Sequence, residues 1–143
     1  GLAASIASVI AMAGSTIFMP KNSMMMIHNP WTKGVGNASD FRKLAEDLDK
    51  IRESLISAYE DRSALMRDEI IDIMDKETWL TASECKEYGF CDVVEEEKQI
   101  AAQVNSEMLK KYRNTPTGLI ETDETPDENQ ELQKQKLLIE LQL

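Results

Sequence analysis

Along this chain the spacing of apolar positions shifts from near-continuous to helical and back, and each shift predicts an element. From Ser5 to Ala13 small apolar residues fill almost every position rather than one stripe, which predicts a fully buried helix with Gly14 as its left-handed stop. Two short apolar runs follow, Ser15–Met19 and Ser23–His28, separated by Pro20, Lys21 and Asn22. Runs of that length, bounded by breakers, fit buried strands of a largely parallel sheet. Asn29-Pro30 ends the second.

After the loop Trp31–Asn37, Ser39 or Asp40 is placed to cap a long helix running to about Arg62. Phe41, Leu44, Leu48, Ile51, Leu55 and Tyr59 recur at intervals of three and four, so the helix carries one apolar seam and needs a partner for it. A second helix is expected over about Ala64–Lys76, carrying Leu65, Ile70, Ile71 and Met74, followed by a turn through Glu77-Thr78-Trp79-Leu80. Thr81 and Glu84 have capping-box spacing for a short third helix, closed by Gly89 before a strand Phe90–Val94. The domain is expected to end near Val94, with residues 1–94 globular and 95–143 a charged tail. Within the tail, Glu95–Arg113 reads as an amphipathic helix, Asn114–Asp127 as a linker and Asn129–Leu143 as a short helical pattern.

Composition narrows the function classes. Of 143 residues 42% are hydrophobic, enough for one modest core. Twenty-six acidic against sixteen basic residues give a net charge of -10, so no basic surface is available to displace counterions from a nucleic acid. Cys85 and Cys91 form no CxxC, and with a single histidine they suggest neither a zinc site nor a disulfide framework; a reduced, cytoplasmic setting is expected. The apolar start, GLAASIASVIAMAGSTIFM, lacks a basic leader and runs at once into Pro20 and a second apolar run, which fits a globular core better than a signal peptide or membrane span. It begins abruptly and without an initiator Met, as though an earlier part of the domain preceded Gly1.

Two residues could carry chemistry. Small neighbours around Ser5 allow a tight strand-to-helix turn that presents its hydroxyl at a helix N-terminus, where free N–H groups favour developing negative charge. The same composition is also a common packing device. His28, the only histidine, closes a buried strand at the end where open α/β sheets hold their ligands; a hydrogen-bonded strand end is the plainer reading. As a base it would have to reach Ser5 Oγ and be oriented by a carboxylate on its other nitrogen.

Taken together, GLAASIASVIAMAG, the run Ser23–Pro30 and TASECKEYGFCD resemble, in order and spacing, the proteolytic subunit of Clp protease over about Gly1 to Val94. The resemblance implies an α/β fold of the Clp and crotonase kind, a parallel sheet with helices and a protruding handle helix, whose N-terminal part is absent from this chain. It implies a serine peptidase with Ser5 as nucleophile, His28 as general base and the N–H of Ile6 as one oxyanion donor, the second donor belonging to a glycine-rich turn upstream of Gly1. The acidic member falls on Glu77, where aspartate is usual, and Asp75 is its rival. No metal or organic cofactor is implied.

By the same resemblance the helix from Ser39 is the handle that joins subunits into a ring, heptameric and doubled, with polypeptide substrates and an AAA+ unfoldase as partner. The Lys76–Trp79 segment and the tail ending in KQKLLIELQL are more similar to the Clp-like proteases encoded with phage and prophage capsids, for which a scaffold or capsid protein is the substrate. An oligomeric assembly protein that keeps the fold without activity is the alternative. Enoyl-CoA hydratase-like chemistry would need acyl-CoA oxyanion donors and acidic catalytic residues in place of a Ser/His pair.

Overall fold

A computed structural model describes residues 1–97 and 109–120, and the chain divides into two compact units, Gly1–Gln103 and Val104–Leu143. In the first unit the chain runs β1 (Leu2–Ala4), α1 (Ile6–Met12), β2 (Phe18–Pro20), β3 (Met24–Ile27), α2 (Ala38–Glu60), α3 (Arg67–Asp75), β4 (Thr78–Thr81), α4 (Ala82–Tyr88) and β5 (Val93–Glu95). In the second, the described part includes a short helix α5 (Thr117–Ile120), and Thr115 Oγ1 donates to the Leu109 carbonyl at 2.8 Å. The pattern expected over Asn129–Leu143 lies outside the described residues, as does most of the helix expected over Glu95–Arg113.

One sheet has the order β1-β3-β4 and a second pairs β2 with β5 in parallel. In the first sheet β3 is the centre, parallel to β1 and antiparallel to β4. Burial on both faces explains its unbroken apolar run: Met25, Met26 and Ile27 are all at most 1% exposed. The sheet is therefore mixed. Thr78–Leu80, expected to belong to a turn with Glu77, form with Thr81 its antiparallel edge, because Trp79 and Leu80 pair with Met26 and Met25.

The core gathers Ile17, Ile56, Tyr59, Ile70, Leu80 and Phe90 between the sheets and the helices. Tyr59 meets Phe90 edge-on at 5.7 Å between ring centroids. Both cysteines are free and buried, and burial pushes the Cys85 thiol up to about 12, so it is an unreactive core filler.

Several local expectations need correction. The cap of α2 is Asn37 rather than Ser39 or Asp40: its side chain accepts from the Ser39 and Asp40 N–H groups, and the Asp40 carboxylate accepts from the Asn37 N–H at 2.9 Å. The helix α1 is not fully buried, since Ile6 and Ile10 are 62% and 67% exposed, while Ser8 and Met12 are buried and Val9 and Ala11 pack half-buried against the core. Gly14 does not adopt a left-handed conformation; Gly89 does, with φ 83°. There the Phe90 N–H returns to the Cys85 carbonyl at 2.8 Å, closing α4, and a Cβ on Gly89 would lie 2.9 Å from the Ala64 nitrogen. The Thr81–Glu84 capping box at the start of α4 forms as its spacing predicts.

Candidate active site

The strand directions decide which residues meet. Because β1 and β3 are parallel and β4 is antiparallel to them, the C-terminal ends of β1 and β3 and the N-terminal start of β4 lie at the same edge. Ser5 follows β1, His28 follows β3 and Glu77 precedes β4. The register pairs Ile27 with Thr78, so the next step outward brings His28 opposite Glu77.

At that edge Ser5 Oγ lies 2.8 Å from His28 Nε2, a full hydrogen bond. The other imidazole nitrogen, Nδ1, is 4.0 Å from Glu77 Oε2, an ion-pair distance longer than a hydrogen bond. The imidazole is only 9% exposed and the Glu77 side chain 12%. Burial holds the His28 pKa below its ordinary 6.5, with the Glu77 charge opposing that shift. Near neutral pH the ring is therefore uncharged. With its proton on Nδ1, Nε2 is free to accept from the serine hydroxyl.

Two backbone outliers mark the site. Ser5 has φ 58° and ψ -126° at the turn from β1 into α1, and Glu77 has φ 49° between α3 and β4; they are the only non-glycine residues with positive φ among those described. A non-glycine residue in such a conformation costs about 1–3 kcal/mol and persists where its surroundings over-determine it. Around Ser5 the N–H donates to the Met26 carbonyl at 3.0 Å and the carbonyl accepts the Ser8 N–H at 2.9 Å. Around Glu77 the N–H donates to the Met74 carbonyl at 3.2 Å, and Thr78 Oγ1 donates to the Ile73 carbonyl at 2.8 Å.

Asp75 is turned to other partners. Its Oδ1 accepts from Asn29 Nδ2 and from Arg52, each at 2.7 Å, while Arg52 Nε donates to Asn29 Oδ1 at 2.9 Å. This closed three-residue clasp ties the residue after His28 to α2 and α3. Glu77, not Asp75, is the carboxylate brought to the imidazole.

A cleft beside Ser5 and His28 has apolar walls from Val9, Trp31, Ile51 and Leu55. Ile6, the first residue of α1, lines the same cleft; its N–H has no intrahelical acceptor. Sequence reasoning missed Ser8, fully buried beneath Ser5 and bonded to it, and treated Tyr59 only as seam. Their only sequence signal is a serine three residues after Ser5 and a hydroxyl-bearing ring at the end of an apolar seam. Among the described residues no cluster of His, Cys, Asp or Glu could hold a metal ion, and no helix is long and apolar enough to cross a membrane.

A serine on a strained strand-to-helix turn, bonded to a buried imidazole that follows a neighbouring parallel strand, is the arrangement found in serine hydrolases. The chain belongs to the Clp protease family, whose profile, described as Clp protease, matches residues 1–98. It is similar to the ATP-dependent Clp protease proteolytic subunit of Bacteroides fragilis, 37% identical over 97 residues, covering 66% of this chain and 46% of that protein. It is likewise similar to the proteolytic subunit 1 of Protochlamydia amoebophila, 36% identical over 98 residues, 66% of this chain and 48% of that one. A proteolytic subunit from Streptococcus agalactiae is 34% identical over 104 residues, 70% of this chain and 53% of its own length. The chain thus spans about half the length of the curated relatives it matches.

Proposed function

We propose that the complete protein is a serine endopeptidase of Clp type that cleaves polypeptides through Ser5, His28 and Glu77. The observation that carries this reading is the 2.8 Å contact between Ser5 Oγ and His28 Nε2 at the mouth of an apolar cleft. Ser5 Oγ attacks the peptide carbonyl as its proton passes to Nε2, and the carbonyl oxygen becomes an oxyanion facing the Ile6 N–H. Glu77 stabilises the imidazolium and holds the tautomer; at 4.0 Å it has room to tighten when substrate closes the site. Collapse of the tetrahedral adduct transfers the proton from Nε2 to the leaving amine. Water, deprotonated by the same nitrogen, then releases the acyl group and restores the serine.

The same reading makes the complete protein a ring, heptameric and doubled, assembled through the handle α2. In support, Phe41 on that helix is 48% exposed, a large apolar side chain on the seam that calls for a partner. The substrate is a polypeptide in the bacterial cytoplasm, either delivered by an AAA+ unfoldase or, in the phage-encoded branch, supplied as a capsid or scaffold protein.

The test is hydrolysis of a fluorogenic peptide with an apolar residue on the acyl side of the cleaved bond, by the complete protein. Turnover abolished by stoichiometric fluorophosphonate is expected. A protein that assembles into rings and neither turns the peptide over nor cleaves unfolded protein would favour the assembly alternative.

A further inference from the structure

Beneath the nucleophile lies a second, wholly buried chain of hydroxyls. The Ser5 carbonyl accepts two bonds from Ser8, the N–H at 2.9 Å and the Oγ–H at 2.5 Å. Ser8 Oγ also lies 2.8 Å from the Tyr59 hydroxyl. A serine hydroxyl has one hydrogen, and a carbonyl can only accept, so the Ser8 hydrogen is committed to Ser5. The Tyr59 contact is therefore donated by the phenol, giving a one-directional relay from Tyr59 O–H to Ser8 Oγ–H to the Ser5 carbonyl. Ser8 is 0% exposed and Tyr59 1%, so the Tyr59–Ser8 bond is shielded from water. Burial pushes the Tyr59 phenol above its ordinary pKa, which keeps it a donor throughout the working range.

The Ser5 carbonyl and the Ile6 N–H belong to one planar trans peptide unit and point in opposite directions. A relay that draws the carbonyl inward thereby turns the Ile6 N–H outward, toward the cleft that holds Ser5 Oγ. It also holds Ser5 in its costly positive-φ conformation. We propose that Tyr59, acting through Ser8, is a positioning residue that aims the Ile6 N–H at the developing oxyanion. The inference rests on the reading of Ser5 as nucleophile and Ile6 as oxyanion donor.

Four variants of the complete protein test it by steady-state peptide hydrolysis: Tyr59→Phe, Ser8→Thr, Ser8→Val and Ser5→Ala. Tyr59→Phe keeps the ring against Phe90 and deletes only the donor, so kcat is expected to fall about tenfold to a hundredfold, less than complete loss of an oxyanion donor. KM should stay near the parent value, and so should the pH at which activity rises, because His28 is untouched. Ser8→Thr and Ser8→Val add the same bulk and differ by the hydroxyl; the threonine form is expected to retain clearly more kcat than the valine form. Unchanged kcat in Tyr59→Phe, or equal kcat in the Thr and Val forms, overturns the relay. Parental turnover in Ser5→Ala overturns the nucleophile reading and the relay with it, an outcome distinct from Ser5-dependent turnover that is indifferent to Tyr59.

Discussion

His28→Ala is expected to lower kcat for peptide hydrolysis by about a millionfold, Ser5→Ala by a similar factor, and the double variant by no more than either alone. The reason is that, in the proposed mechanism, the two side chains perform one act. Ser5 Oγ is a poor nucleophile while it carries its proton, and at 2.8 Å His28 Nε2 is the group placed to take it. Without the imidazole the hydroxyl stays protonated; without the hydroxyl the imidazole has nothing to activate. What survives is the contribution of the Ile6 N–H and of substrate binding in the apolar cleft, which leaves a residue above the uncatalysed rate. KM should change little in each variant, since neither side chain supplies the cleft's apolar walls. Multiplicative losses in the double variant would mean that Ser5 and His28 act in separate steps, contrary to the mechanism.

The second large effect separates the two carboxylates. Glu77→Gln is expected to reduce kcat by about ten-thousandfold, the size associated with neutralising a buried carboxylate that orients a catalytic histidine. Asp75→Asn is expected to leave kcat near the parent's, because Asp75 is bonded to Asn29 and Arg52 instead of the imidazole. Titration gives an independent sign. The Glu77 charge raises the His28 pKa against the larger lowering by burial, so removing that charge lowers it further. Activity that requires neutral imidazole should then rise at lower pH in Glu77→Gln than in the parent, even as its plateau falls. A pH profile moved to higher pH, or loss of activity in Asp75→Asn alone, would assign the role to the other carboxylate.

How much of this could be read from the sequence depended on whether a local pattern had a local cause. The seam from Phe41 to Tyr59, the Thr81–Glu84 box and the Gly89 stop are set by residues within a turn or two of one another, and all appear in the structure. Ser5 was legible as a candidate from its small neighbours at a helix start and His28 as the single histidine closing an apolar strand, and their meeting follows from the parallel pairing of β1 with β3. The strand β4 was not legible: four residues, Thr78 to Thr81, show no alternation long enough to outweigh a turn, and pairing with β3 is what extends them. The family resemblance pointed to Glu77 with Asp75 as its rival, and only the register, with Thr78 opposite Ile27, brings one of them to the imidazole. The exposure of Ile6 and Ile10 was likewise hidden, since a helix of uniformly small apolar residues has no polar face to betray its outer side. The Tyr59–Ser8 contact spans 51 positions and joins two residues whose ordinary reading is core packing, so it carries no signature that a single sequence displays.

Whether Ser5 is a nucleophile activated by His28 is decided by identifying the adduct that a fluorophosphonate forms on the complete protein. Peptide mass spectrometry should place a single phosphonyl group on the peptide containing Ser5, with the adduct lost in Ser5→Ala and formed far more slowly in His28→Ala. Labelling that persists unchanged in Ser5→Ala, or that maps to another serine, would contradict it.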